Sequence, residues 1–193
     1  MDLIIKGCVY EKMGKEYRKF STPEEVEAWV KKHYTEDELR ECNALENVES
    51  TLAFYKGVGY RYLNKCVRGG KDELKDMFDI ESLQQQLLSK NIKDDIVVYR
   101  FVDKRELDIL LRNTSRKRIF EYEGFLSTTL LREYYSMEDI RSMRIPIEIR
   151  IPKGTHGTYL PEVNPDRPEY EILLPYHLKI KRISWWKCIF EIC

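Results

Sequence analysis

The sequence predicts an α+β fold, with helices gathered in the N-terminal half and a mainly antiparallel β core after them. Three observations carry this. Helix-capping signals followed by helically spaced apolar residues recur before residue 90. β-rich or alternating runs dominate from residue 96 onward. No G-x-G-x-x-G follows any of these runs, which excludes a Rossmann dinucleotide site. A length of 193 residues suits one domain, or one domain with a small N-terminal addition.

Taken in order, residues 1–20 read as an N-terminal extension or short hairpin, with Ile4, Val9, Tyr10, Tyr17 and Phe20 as its apolar content. Thr22-Pro23-Glu24-Glu25 starts a helix: Thr22 caps, Pro23 takes the first helical position and Glu25 completes a capping box. Val26, Trp29 and Val30 make its inward stripe. Thr35 with Glu38 repeats the device for a second helix, which carries Leu39, Leu45, Val48 and Leu52 toward Tyr55. A short helical piece over Tyr60–Val67 ends at Gly69-Gly70. Residues 72–89 form another helix on Leu74, Met77, Phe78, Ile80, Leu83 and Leu87. The pattern then changes. Ile96–Val102 is a strand, and Asp103 with Glu106 caps a helix through Leu111. Residues 124–130 hold a short strand, 136–143 are helical, and Ile145–Ile151 alternates as a strand. Glu171–Leu174, 177–183 and 186–192 complete the β set.

Lys plus Arg and Asp plus Glu both number 33, so no net field draws the chain to nucleic acid or to an anionic membrane. The N-terminus has no basic segment leading into an apolar stretch of signal-peptide length, and no run is long enough to span a bilayer. The expected location is cytoplasmic, or outside the cell by a signal-peptide-independent route of secretion or injection. Cys8, Cys42, Cys66, Cys188 and Cys193 are scattered and never form a C-x-x-C pair. His33, His156 and His177 show no ligand spacing, and no metal is expected.

Near the C-terminus, Pro168-Glu169-Tyr170-Glu171-Ile172-Leu173-Leu174 sets two carboxylates at the mouth of an apolar run. Strand alternation would turn Glu169 and Glu171 to the same side, where like charges raise each other's pKa. An edge strand bearing paired surface acids is the plainer explanation. Two further polar features lie on β runs upstream: Arg100 in Val98-Tyr99-Arg100, and Ser127-Thr128-Thr129 after Gly124-Phe125-Leu126. In that order the set resembles the ADP-ribosyltransferases of the arginine–serine–glutamate class. The nearest resemblance is to the bacterial exoenzyme family that includes the catalytic subunits of clostridial binary actin-modifying toxins. The stretch from Tyr55-Lys56-Gly57-Val58-Gly59-Tyr60 to Asn64 and Arg68 is similar to that family's tyrosine–glycine–tyrosine helix. Ile151-Pro152-Lys153-Gly154 and Gly157-Thr158-Tyr159-Leu160 are similar to its proline–glycine turn and tyrosine strand. The resemblance covers roughly residues 20–185.

The resemblance implies an ADP-ribosyltransferase fold of two packed sheets, with residues 21–193 as the catalytic domain. It also implies cleavage of the nicotinamide–ribose bond of NAD and transfer of ADP-ribose to an acceptor. Positive charge then builds on the ribose, as in glycosidase transition states. By resemblance, Glu171 stabilises that charge and Glu169 orients or deprotonates the acceptor. A guanidinium, with a pKa above about 12, needs such a base, so two acids point to a protein arginine as acceptor. Arg100 would hold the diphosphate, and Ser127 would position Glu171 and the nicotinamide ribose, with Thr129 supporting the strand. Asn64 and Arg68 would meet the adenine side, Tyr55 and Tyr60 would shape the cleft, and Arg141 or Arg144 would face phosphate and nicotinamide. Plainer alternatives stand beside these roles. They are a surface salt bridge for Arg100, generic strand hydroxyls for Ser127 and Thr129, simple packing for the tyrosines, and ordinary surface arginines for Arg141 and Arg144.

Two departures stand out, the first removing a diphosphate contact and the second leaving the acceptor open. Phe101 stands where the binary-toxin relatives carry a second arginine, and residues 161–168 lack the aromatic that many relatives use on the acceptor. The competing functions are an NAD glycohydrolase, a transferase acting on nucleic acid, and an inactive relative that binds NAD or a partner. A cognate immunity protein or antitoxin also fits as a partner.

Overall fold

The computed structural model describes residues 15–43, 51–69, 79–133, 144–161, 168–184 and 187–193. Helix α1 (Pro23–His33) starts where the sequence places it, with the Thr22 side chain accepting from the Glu25 N–H. The Glu25 carboxylate, however, accepts from the N–H of Ser21 at 2.8 Å, one residue ahead of the cap. Helix α2 (Glu36–Glu41) has the complete capping box between Thr35 and Glu38. It stops at Cys42, which turns inward beside Thr158, instead of running on toward Tyr55. Leu45 and Val48 lie outside the described residues.

Residues 51–67 are helical throughout but not uniform. Helix α3 (Thr51–Phe54) passes into a π-helical turn (Tyr55–Gly59) and then into helix α4 (Tyr60–Val67). Helix α5 (Ile80–Leu88) corrects the single helix expected over 72–89. Asp79 leaves helical geometry, with φ −80° and ψ 83°, and its carboxylate accepts from the Ser82 N–H. A short acid that bonds the backbone itself competes with helix continuation. Residues 71–78, and the helix expected over 136–143, lie outside the described residues. Asp103 caps α6 (Lys104–Asn113), accepting from the Glu106 N–H at 2.7 Å.

The strands are β1 (Ile96–Val102), β2 (Ile119–Tyr122), β3 (Leu126–Thr129), β4 (Ile145–Ile151), β5 (Thr158–Leu160), β6 (Glu171–Leu174), β7 (Leu178–Arg182) and β8 (Ile189–Ile192). Hydrogen bonds join them in the order β2-β7-β8-β4-β1-β3-β6-β5, all antiparallel except β4 with β8. The two expected sheets are therefore connected, but by a narrow joint: β1 and β3 share one registered pair, Tyr99 with Thr129. Both sides of the joint feed one core. Val98, Ile147, Ile149, Ile180 and Phe190 come from one side, Leu126, Tyr159, Ile172 and Leu174 from the other, and Val26 and Trp29 from α1.

A second core packs Leu52, Tyr55, Leu63, Leu83 and Leu87 of the helical segments on Phe125, Leu160 and Leu173. Strand β6 is thus buried on both faces, which is why Ile172-Leu173-Leu174 shows no polar alternation. The hairpin expected over residues 2–20 falls largely outside the described residues. Of its end, Arg18 bridges in parallel to Ile96, and Phe20 packs edge-on to Trp29 at 5.4 Å. Among the described residues no helix is long and apolar enough to cross a membrane.

Candidate active site

Glu171 opens β6 and shares a face with Leu173, the face turned toward the helical core. Glu169 lies before the strand, so alternation does not bring the two acids together as expected. The intervening Tyr170 does so, with φ at 46°, a left-handed conformation costing a non-glycine residue roughly 1–2 kcal/mol. That turn buries the Tyr170 ring in the first core and sends both carboxylates to a single cation.

The cation is Lys56, carried by the π-helical turn. Its Nζ donates at 2.8 Å to Glu169 Oε2 and at 2.8 Å to Glu171 Oε2. The Lys56 side chain is 6 % exposed and that of Glu171 7 %, whereas Glu169 is 64 % exposed. Burial pulls the ammonium toward deprotonation, but Glu171 and Glu169 outweigh it and hold its pKa above the ordinary lysine value. Lys56 is charged.

The other oxygen of Glu171, Oε1, accepts from Ser127 Oγ at 2.5 Å. Thr129 is registered opposite Glu171 and Ser127 opposite Leu173, so the serine reaches the carboxylate diagonally across the ladder. The Ser127 carbonyl in turn accepts from Arg100 Nη1 at 2.8 Å.

Arg100 shares a face of β1 with Val98 and Val102, which puts a guanidinium against an apolar core. A charge so placed needs partners. Nε donates to Glu106 Oε1 at 2.9 Å, and Nη2 donates to Glu106 Oε2 at 3.4 Å and to the Tyr122 hydroxyl at 3.1 Å. The Tyr122 hydroxyl donates to Glu106 Oε1 at 2.8 Å and accepts from Arg68 Nη2 at 3.2 Å. One donor and two acceptor sites are thereby all used. The result is one hydrogen-bonded chain: Arg68, Tyr122, Arg100, Ser127, Glu171, Lys56, Glu169.

Asn64 and Arg68 close the other side. A Cβ on Gly124 would lie 2.8 Å from both Arg68 Nη2 and Asn64 Oδ1, so the polar edge of α4 rests directly on the β2–β3 turn. Asn64 Oδ1 is buried with no partner among the described residues. Tyr55 is buried edge-on to Phe125 at 5.6 Å; burial first, then Glu171, pushes its hydroxyl pKa up.

Three expected residues do not join this network. Tyr60, five positions beyond Tyr55 and so off its face, is 39 % exposed, and its hydroxyl accepts from Arg61 Nε. The Thr129 hydroxyl accepts from the Leu131 N–H, and its backbone sits at the β1–β3 joint. Arg144 is exposed just ahead of β4, and Arg141 lies outside the described residues. Conversely, the sequence reading missed Lys56, Tyr122 and Glu106. A pair of like charges with one member buried demands a cation, and that is the available signal for Lys56. Tyr122 lies on β2, whose four residues carry no clear alternation, and Glu106 carries only a capping signal in the sequence. Among the described residues no group of His, Cys, Asp and Glu could hold a metal ion.

The helices, the jointed sheet and its strand order make up the ADP-ribosyltransferase fold. The ADP-ribosylating toxin BECa of a C. perfringens binary enterotoxin, solved with NADH, superposes at a TM-score of 0.69 with 18 % identity, over 92 % of this chain and 49 % of that one. This chain therefore spans about half the length of that toxin chain. C3stau2 from S. aureus, solved with NAD, gives 0.54 and 18 % over 92 % and 97 % of the two chains. The C3 exoenzyme of Clostridium limosum gives 0.59 and 15 % over 92 % and 96 %. At such identities the likeness is one of fold. The family assignment comes from the sequence: residues 26–187 match the ADP-ribosyltransferase exoenzyme family, and the chain belongs to it. No curated protein matches the chain.

Proposed function

We propose that this protein is an NAD-dependent mono-ADP-ribosyltransferase whose acceptor is an arginine side chain of a protein. Family membership supports the transfer of ADP-ribose, and the NAD and NADH bound by C3stau2 and BECa support NAD as its source. The observation that carries the reading is the buried Glu171 carboxylate, fixed by Ser127 at 2.5 Å, with the exposed Glu169 beside it.

Loss of nicotinamide leaves positive charge at the ribose carbon. Glu171 supplies the opposing charge, and because Ser127 already holds one of its oxygens, little reorganisation accompanies the reaction. Opposite unit charges about 4 Å apart, at an effective dielectric near 20, attract by about 4 kcal/mol, roughly a thousandfold in rate. Among the described residues Arg100 has one N–H, on Nη1, without a protein acceptor. In this reading it gives the diphosphate a single hydrogen bond and otherwise fixes the joint between β1 and β3. Asn64 Oδ1 would accept from an adenosine hydroxyl or amino group, with Arg68 at the adjacent phosphate. Glu169, at the mouth, takes the proton of the attacking guanidinium. One observation favours a second reading, with water as acceptor: Lys56 already occupies Glu169.

Incubating the protein with labelled NAD and a cell lysate separates the two. Label on protein, located at arginine by mass spectrometry, supports transfer; free ADP-ribose alone supports hydrolysis. Glu171→Gln should lower both activities about a thousandfold, and full retention would overturn its assignment. Glu169→Gln should abolish transfer to arginine while sparing most NAD hydrolysis. Equal loss of both would reject the division of labour between the acids.

A further inference from the structure

Lys56 stands where the two acids of the site converge, and the reaction above has no use for it. An ammonium has three hydrogens to donate. Lys56 gives one to Glu169 and one to Glu171, each at 2.8 Å, from a side chain that is 6 % exposed. A guanidinium approaching the ribose would be held by the same two carboxylates. Two cations cannot share that space without strong repulsion.

The geometry points to Lys56 as a residue that determines acceptor choice: a built-in occupant of the cation subsite between Glu169 and Glu171. A cationic acceptor must displace it, and a neutral acceptor, water included, need not. This rests on the roles proposed above for the two acids. Two features suit a displaceable occupant better than a fixed strut. Lys56 belongs to the π-helical turn between α3 and α4, an irregularity of the kind found at functional sites. Its two partners also differ, Glu171 being 7 % exposed and Glu169 64 %, so the flexible lysine tail can swing toward water along the exposed acid.

Calorimetric titration with agmatine, a small guanidinium, tests this on the full chain and on Lys56→Met, Lys56→Gln and Lys56→Arg. The two neutral variants remove the cation that both acids share and should bind agmatine about tenfold tighter or more than the native protein. Lys56→Arg restores a cation and should bind as weakly as native. With NAD present, the KM for agmatine should fall in the neutral variants by a factor similar to the gain in binding. Unchanged or weaker agmatine binding in both neutral variants would overturn the inference, as would an equal gain in Lys56→Arg. So would the failure of both neutral variants to show a cooperative unfolding transition, since Lys56 would then be a strut. The titration needs no turnover. A native protein that releases no nicotinamide from NAD would sink the proposed reaction while leaving the displacement of Lys56 to be judged on binding alone.

Discussion

At Tyr122 a single phenol oxygen meets Arg68 at 3.2 Å, Arg100 at 3.1 Å and Glu106 at 2.8 Å. The ring is buried in the core shared by both sides of the sheet joint, so its packing does not depend on the hydroxyl. Tyr122→Phe should therefore keep the fold and lose the oxygen that separates two guanidinium groups. Leaving buried partners unmet costs about 1–3 kcal/mol, so urea unfolding should show a loss in that range. Because Arg68 and Arg100 both shift, KM for NAD should rise more than kcat falls. A stability change under about 0.5 kcal/mol would mean that water or Glu106 replaces the hydroxyl at little cost. The same scale explains what the sequence concealed. The order of Arg100, Ser127, Glu169 and Glu171 along the chain points to all four; direct hydrogen bonds join Arg100, Ser127 and Glu171, and Lys56 ties Glu169 to them. Lys56 itself is separated from Glu171 by 115 positions, and no local pattern records that pairing.

Elements differ in how openly the chain declares them. The caps of α1 and α2 are local contacts between residues three or four apart, so Thr22 and Thr35 were readable directly. Strand β2 is four residues long with Ile119 exposed at its start, too short for alternation to stand out. The left-handed turn at Tyr170 was equally hidden, because neither tyrosine nor its neighbours favour that conformation. The contact of α4 with the β2–β3 turn belongs to this scale and makes a prediction at Gly124. An added methyl would fall 2.8 Å from the ends of Arg68 and Asn64, two side chains that can yield. Gly124→Ala should then cost only about 1 kcal/mol of stability, the low end for overpacking. It should weaken NAD binding about tenfold, the loss of about one charge-assisted hydrogen bond. Calorimetry of NAD binding checks this; unchanged affinity would remove Arg68 and Asn64 from the proposed adenosine side.

For the molecule as a whole, the α+β class was legible because periodicity changes sharply between the helical segments and Ile96–Val102. The connection of two sheets through Tyr99 and Thr129 was not, since a one-pair joint leaves no periodic trace. Global stability adds a further consequence, at His33 in the last turn of α1. A helix C-terminus favours a charged imidazole, yet here burial wins. His33 packs on Trp29 with ring centroids 5.6 Å apart, and its buried Nε2 has no partner among the described residues. Burial lowers its pKa below 6.5; Asp94 opposes this, while Lys32, Arg18 and Lys153 reinforce it. The folded chain therefore binds this proton less tightly than the unfolded chain does. Its contribution to stability is complete above the unfolded value of 6.5 and declines as pH falls through that value toward the lowered folded one. The carboxylates of Glu38 and Asp95, whose pKa values are also lowered, act only below about 4.5, outside this window. Between about pH 7.5 and about pH 5.5 the unfolding free energy should fall, and His33→Gln should flatten the decline. A His33→Gln curve as steep as the native one would place the acid sensitivity of the fold elsewhere.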